Sequence, residues 1–396
     1  MGSIKIQHSV LLILVLLSFF AFKLLSFEKL DYVYLFLLVI MALPVIKDKS
    51  GYARIIKFYL LFVLVSCFYS AMYNGQKLHS VIGHSYDFFA ILFFFVLIRF
   101  NLSSEETEKV LVKVSVWFCC CYILQWMIYP VVLFSGADDS LNVTAYQYRA
   151  RMPGSICGYF LLMYSVNRYM IGKNIKYFFY GILAFIPILI QGFRSLIALT
   201  VVAVFLMMPF VLRNGRKVIL YVLLAGAVGA VALTTSLVQS KMEEMMERQE
   251  GDQTFENDDY IRFLSLDYYW NQQFIKPYEK LIGGGNPVDT SSRYFKGIDA
   301  AKEQYGFYWS DLGVVGLSMI IGLPAVLLLI VMYFRCMWKC KEQHLQCIRF
   351  TLFIVFLGSI FTTAEIYRTG NLLMLSLFLY IEYKYHIEQK SLTTDL

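Results

Sequence analysis

An all-α, polytopic membrane protein is the fold class this sequence predicts, and three observations carry it. First, 59% of the 396 residues are hydrophobic and only 16% are charged, too few polar side chains to cover a water-facing surface. Second, apolar runs long enough to cross or nearly cross a bilayer recur about twelve times, at the roughly twenty residues that one helical crossing requires. Third, one long polar stretch, 239–307, interrupts this pattern late in the chain. The chain 1–396 therefore reads as a single integral membrane domain with one large outer-face loop between the ninth and tenth spans.

The expected spans are 8–24, 31–46, 55–72, 83–100, 110–134, 154–171, 175–191, 195–212, 218–238, 311–334, 348–364 and 369–384. The second, seventh and last are short or broken, which leaves about 10–12 crossings. The first run follows Lys5 and lacks a small-residue cleavage site before Phe22-Lys23, so it is read as a retained span and not as a signal peptide. Basic residues mark alternate loops: Lys47, Lys49, Arg54 and Lys57; Arg99, Lys109 and Lys113; Arg168, Lys173 and Lys176; Arg213, Arg216 and Lys217; Arg335, Lys339, Lys341 and Arg349. Excess Lys and Arg marks the cytoplasmic side, so these loops and both termini are expected inside, and 239–307, 73–82, 135–153 and the turn at 191–194 outside. The net charge of +7 then belongs to topology and gives no reason to expect a nucleic-acid partner. No internal period of about twenty to fifty residues repeats, and the two halves differ in loop length, which counts against a duplicated transporter.

Within the polar loop, Ser240-Lys241-Met242-Glu243 has the capping-box pattern that starts a short helix. Asn257-Asp258-Asp259 is expected to cap a second, whose amphipathic spacing is carried by Ile261, Leu264 and Tyr268. Gly283-Gly284-Gly285-Asn286-Pro287 ends any helix and frees the backbone to turn tightly or approach another group closely. The segment is dense in aromatics, among them Trp270 and Trp309, which suit stacking on sugars or resting on lipid headgroups. The eight cysteines fall in or near spans and none lies in the outer loop, so no disulfide scaffold is indicated. Cys336, Cys340, His344 and Cys347 share a helical interval but lack a C-x-x-C knuckle; neither a metal nor a cofactor is expected.

The informative charges are the few on the outer side. Arg149 and Arg151 precede Pro153-Gly154, Arg194 sits in the turn Gly192-Phe193-Arg194-Ser195, and Arg368 follows Glu365 in a short outer turn. Cations are disfavoured there, and near hydrocarbon they require partners. Guanidinium groups converging from several spans suit a pyrophosphate, although each alone is equally well explained by snorkelling to headgroups. Asp311, Glu365, Asp259 and Asp267 are the outer carboxylates able to take a proton from a hydroxyl, with Asp311 first because it opens a span beneath the loop.

The order of five short motifs adds a resemblance. Arg151-Met152-Pro153-Gly154, then Gly192-Phe193-Arg194-Ser195, Asp259-Tyr260-Ile261-Arg262, Lys280-Leu281-Ile282-Gly283-Gly284-Gly285 and Ser310-Asp311-Leu312-Gly313-Val314-Val315-Gly316-Leu317 resembles the order in bacterial O-antigen and capsular polysaccharide polymerases of the Wzy type and the related O-antigen ligases. The resemblance implies a GT-C-like glycosyltransferase in the bacterial cytoplasmic (inner) membrane, extending undecaprenyl-pyrophosphate-linked oligosaccharide into lipopolysaccharide O-antigen or capsule. It implies as partners that lipid-linked substrate, the bilayer, and a chain-length regulator and flippase of the same pathway. It assigns binding of the lipid pyrophosphate to Arg151, Arg194 and Arg262. The chemistry of the outer-face residues adds Arg149, Arg368, Trp270 and Trp309 as candidates for pyrophosphate or glycan binding, and Asp311 and Glu365 as candidate catalytic carboxylates. Ligases carry a His-Asn pair before the last motif; 301–311 holds no histidine, which favours a polymerase. The alternatives are a flippase or other transporter of lipid-linked oligosaccharide, and a ligase.

The alternating basic loops generate a topological prediction. A cysteine placed at Gln253 in a variant without native cysteines should react with a membrane-impermeant maleimide added outside the cytoplasmic membrane, and protection from that reagent would reverse the orientation.

Overall fold

The computed structural model describes residues 8–10, 12, 30–129, 131–134, 154–191, 194–213, 215, 255–274, 277–361, 366 and 370–394. Every regular element among them is helical. In chain order the helices are α1 (Leu30–Ala42), α2 (Gly51–Tyr73), α3 (Leu78–His84), α4 (Tyr86–Phe100), α5 (Ser104–Met127), α6 (Ile156–Gly172), α7 (Ile175–Gln191) and α8 (Arg194–Leu212). After the polar loop begins come α9 (Phe255–Asp267), α10 (Pro277–Ile282), α11 (Arg293–Tyr305), α12 (Gly313–Ile321), α13 (Leu323–Lys339), α14 (Gln346–Phe361) and α15 (Asn371–Thr394).

Among the described residues, four helical stretches are long and apolar enough to cross a membrane: Gly51–Tyr73, Ser104–Met127, Ser195–Leu212 and Gln343–Ile360. A fifth is added if α3 and α4, bent by 60° across Ser85, count as one. Most of the expected span 8–24 and all of 218–238 lie outside the described residues, as does the capping box at Ser240. The expected run 311–334 divides into α12 and α13 at Gly322, whose φ of +84° only glycine adopts without strain, and Pro324 then starts α13 afresh. Hydropathy averages over such a break, which is why the run looked continuous. Asn257, Asp258 and Asp259 fall inside α9 instead of capping it, since Phe255 and Glu256 before them are already helical.

Local chemistry sets the ends of these helices. Ser50 caps α2 by accepting the Ala53 N–H (3.3 Å), and Ser103 opens α5 in a reciprocal capping box with Glu106. The main core is aromatic and aliphatic, with Tyr59, Phe94, Phe118, Tyr122, Tyr159 and Tyr333 fully enclosed. α13 packs on α2, α6 on α7, and α14 between α6 and α8. Charged groups inside the bundle are paired, and they collect at the basic end: Arg168 with Glu108, Lys339 and His386 with Glu382, and Ser104 donating to Glu388 (2.6 Å).

The break at Gly322 leaves the last carbonyls of α12 without helical partners, and the polar loop supplies them. The Gly284 N–H donates to Met319 O (2.7 Å), the Gly285 N–H to Ile320 O (3.0 Å), and the Ser66 hydroxyl from α2 also donates to Ile320 O (2.6 Å). The approach is so close that a Cβ at Gly283 would come within 2.7 Å of Ile320 O. Gly306 also has a positive φ (+69°), but open space surrounds it. Alanine there should cost only the left-handed backbone term of about 1–2 kcal/mol. Gly283→Ala should lower the unfolding midpoint in detergent markedly further, since the loop must withdraw from α12; equal shifts for the two variants would show that the docking contributes nothing.

Candidate functional site

The polar loop is a folded layer held over the bundle by one buried amide. Gln76, 3% exposed, lies just beyond the C-terminal end of α2. Its Nε2 donates to Ser70 Oγ (2.6 Å) and Asn286 O (3.0 Å), while its Oε1 accepts from the Val288 N–H (2.9 Å) and the Asp289 N–H (3.1 Å). All four valences of the amide are used, and two backbone N–H groups fix which atom is oxygen. Asn74 donates to Gly284 O (2.9 Å), the Lys77 N–H to Asp289 Oδ2 (3.0 Å), and Asn286 to His84 O (3.1 Å). The Asp289 carboxylate also accepts the Ser291 hydroxyl (2.6 Å) and N–H (3.1 Å), and these donors hold its carboxyl below the usual carboxylate range, the Ser291 hydroxyl most of all.

Above this clamp the loop has a small core of its own. Tyr269, Phe274, Tyr294, Ile298, Ala301 and Phe307 are buried together with Met319 of α12, each large side chain contributing roughly 1.5–3 kcal/mol on burial. The Tyr269 hydroxyl donates to Phe307 O (2.9 Å) and the Tyr294 hydroxyl to Gly285 O (3.3 Å). Burial pushes both phenols above their ordinary range, so they remain donors throughout physiological pH. A π-helical turn, Tyr268–Gln273, carries α9 into this core. On its outer side, Phe263, Leu266, Asp267, Trp270, Asn271 and Val315 line an open cleft of about 410 Å³.

The candidates expected from the sequence divide in the folded chain. Trp270 forms a wall of the cleft, with Lys280 Nζ 5.0 Å from its ring centroid, and Arg262 is half-buried on the same α9. Trp309 is half-buried against the loop core. Asp311 is exposed in the Trp309–Leu312 turn; its N–H reaches Tyr308 O (3.1 Å) and its Oδ1 lies 3.5 Å from Ser310 Oγ. It precedes the helix that Leu312 caps and is not itself the capping residue. The backbone of Arg194 opens α8. Arg149, Arg151, Glu365 and Arg368 lie outside the described residues.

Backbone packing nevertheless brings two candidate regions to one place. A Cβ on Gly358 of α14 would come within 2.5 Å of Leu196 Cδ2, in the first turn of α8, and a Cβ on Gly313 would meet the Ser359 and Ile360 carbonyls. The first turn of α8, which starts at Arg194, and the turn carrying Asp311 therefore both abut the C-terminal end of α14. Ile366, between Glu365 and Arg368 in sequence, is fully buried, and its carbonyl lies 3.5 Å from the Tyr333 hydroxyl, about three turns into α13. A short turn on the outer surface was expected there; at Ile366 the chain lies within the bundle.

Asp267 gains standing from the structure. It was one of four possible carboxylates in sequence, and here it lines the cleft beside Trp270 while accepting from Asn271 Nδ2 (2.6 Å). A carboxylate and an amide beside an indole face can meet sugar hydroxyls and an apolar sugar face together. Gln76 and Asn74 were not anticipated at all; the Asn74-Gly75 turn, with φ +67° at Gly75, was their only local signal.

Gln76→Ala would strand four groups, at about 1–3 kcal/mol for each buried one left unpaired, and should raise amide exchange across 284–292 without unfolding the bundle. Acid should reach the same segment through Asp289. Its depressed folded-state pKa means that its contribution is fully present above the ordinary carboxyl value of about 4 and is lost as pH falls through the lower folded value. Exchange across 284–292 that is insensitive to both changes would show that the clamp does not hold the loop.

No model of a known protein family matches this chain, and no functionally characterised protein matches it either.

Proposed function

We propose that this chain is a glycosyltransferase of the bacterial cytoplasmic membrane, with about 10–12 spans, a GT-C-like arrangement and both termini inside, that joins undecaprenyl-pyrophosphate-linked oligosaccharides into O-antigen or capsular polysaccharide. The supporting observation is convergence: the first turn of α8, begun by Arg194, and the Asp311 turn meet at the C-terminal end of α14, beneath a docked aromatic layer with its own cleft. In the reaction an acceptor hydroxyl oxygen attacks the anomeric carbon of the donor sugar. The bond from that carbon to the pyrophosphate oxygen breaks, undecaprenyl pyrophosphate departs with the electron pair, and the hydroxyl proton passes to a carboxylate, Asp311 or Asp267. Arginines Arg149, Arg151, Arg194, Arg262 and Arg368 are the groups offered to the developing negative charge, with Trp270 and Trp309 for the glycan; Glu365 is the alternative base. A lipid pyrophosphate is already a good leaving group, so placement and charge stabilisation are the main requirements.

A transporter of lipid-linked oligosaccharide is the second reading, favoured by the 60° bend between α3 and α4 and the break at Gly322, since transporters bind substrate at discontinuous helices. Against it, the carbonyls freed at Gly322 are already taken by Gly284, Gly285 and Ser66. The experiment is direct. Purified protein given lipid-linked repeat in detergent should extend it without nucleotide and with EDTA present. Arg194→Ala should remove most long product, with Lys restoring little because it lacks the bidentate fork. Transbilayer movement of the repeat in liposomes, with no elongation, would give the case to the transporter.

A further inference from the structure

The opposite end of the bundle gathers positive charge that its own carboxylates do not balance. Glu382 on α15 is fully buried, and its Oε1 lies 3.5 Å from Lys339 Nζ on α13 and 3.0 Å from His386 Nε2. Lys339 is thereby committed to Glu382, and it also stands 5.4 Å from the Tyr52 ring centroid. Arg335, one turn earlier on α13, has no such acceptor among the described residues. Its guanidinium carbon sits 5.1 Å from the same ring centroid, and the group lies across Gly51 so closely that a Cβ there would overlap it. Gly51 is the first residue of α2, where the helix dipole is positive. A guanidinium placed against a helix N-terminus is an arrangement that calls for an anion. Asp48, the carboxylate beside this end, accepts the Ser50 N–H at 3.3 Å through Oδ1; its Oδ2 is buried without a hydrogen-bond partner, and among the described residues it makes no ion pair with Arg335.

The apolar surface next to Arg335 indicates what that anion is attached to. Leu327, Val331, Phe334 and Trp338 are exposed large side chains spaced four, three and four residues apart, so they form one stripe along α13. Arg335 is the helical neighbour of Val331 and Trp338 on that stripe. Trp338, 72% exposed, ends it, with Lys341 Nζ 5.1 Å from its ring centroid. An acyl chain covers such a stripe, and a Trp flanked by basic residues is the pattern found at the headgroup level.

We propose that this end of α13 is a binding site for an anionic phospholipid, its phosphate held by Arg335, Lys341 and the N-terminus of α2, and an acyl chain laid along Leu327, Val331 and Phe334. A free phosphate would use the charge and leave the stripe bare, so the lipid is the occupant that uses both.

The full chain in detergent should be titrated with phosphatidylglycerol and with zwitterionic phosphatidylethanolamine, counting lipid adducts by native mass spectrometry. Phosphatidylglycerol should bind about tenfold more tightly. Arg335→Gln combined with Lys341→Gln should abolish that preference, while Lys109→Gln, in an exposed pair with Glu105 at the same end, should leave it intact. Should the double variant lose its melting transition, the wild-type protein still decides the matter, because about 1 M salt, which shortens the Debye length to about 3 Å, should erase a preference resting on an exposed phosphate. Equal affinity for the two lipids, a preference that survives the double substitution or the salt, or displacement of the lipid by millimolar inorganic phosphate would each overturn the assignment.

Discussion

Backbone groups freed by a helix break inside an apolar bundle must find partners within the chain, and the break at Gly322 sets the layout of the end of the bundle beneath the polar loop. Met319 and Ile320 are buried, and their carbonyls are met by the Gly284 and Gly285 N–H groups and the Ser66 hydroxyl. Only glycine brings a backbone that near another, and Gly283 and Gly322 face each other for that reason. What looks like a flexible triglycine is therefore a rigid seam between the polar layer and the bundle. With the seam fixed, Gln76 fixes the next residues, and the positions of α11, the aromatic core and the Trp309–Leu312 turn follow.

The candidate chemistry depends on this seam twice. Asp311 is placed by a turn that joins the layer to α12, and Trp270 and Asp267 by a π-helical turn whose inner face is anchored through Tyr269 to Phe307. A cleft built this way has one wall on the layer and one, Val315, on the bundle. Its width is thus set by the docking, which connects a hydrogen-bond network far from any reacting atom to the geometry of the site.

Composition alone made the helical membrane class legible, because the shortage of charge is a property of the whole chain. The punctuation inside apolar runs was less legible: Gly322 with Pro324, and Ser85 between α3 and α4, are short signals that an average over twenty residues erases. Of the residues singled out by type, Trp270 lines the cleft, Arg262 lies on the same helix and Asp311 sits in the turn before α12. Gln76 and Asn74 were invisible because a lone amide announces nothing until its partners, more than two hundred positions away, are brought to it. The Asp267 carboxylate was noticed but not preferred, as the cleft that distinguishes it exists only once α9 lies against α12.

The long sequence separation across the clamp also dictates an order of assembly. α2, with Ser66 and Ser70, and Gln76 just after it leave the ribosome long before the residues that satisfy them, 213 positions later in the case of Asp289. Until Gly284 to Asp289 arrive, the early helices carry polar groups prepared for a partner that has not been made, and the mouth of the nascent bundle stays open. Closure therefore waits for Gly284 to Asp289, and a chain cut short before Gly284 would leave that mouth exposed, as a target for quality-control machinery.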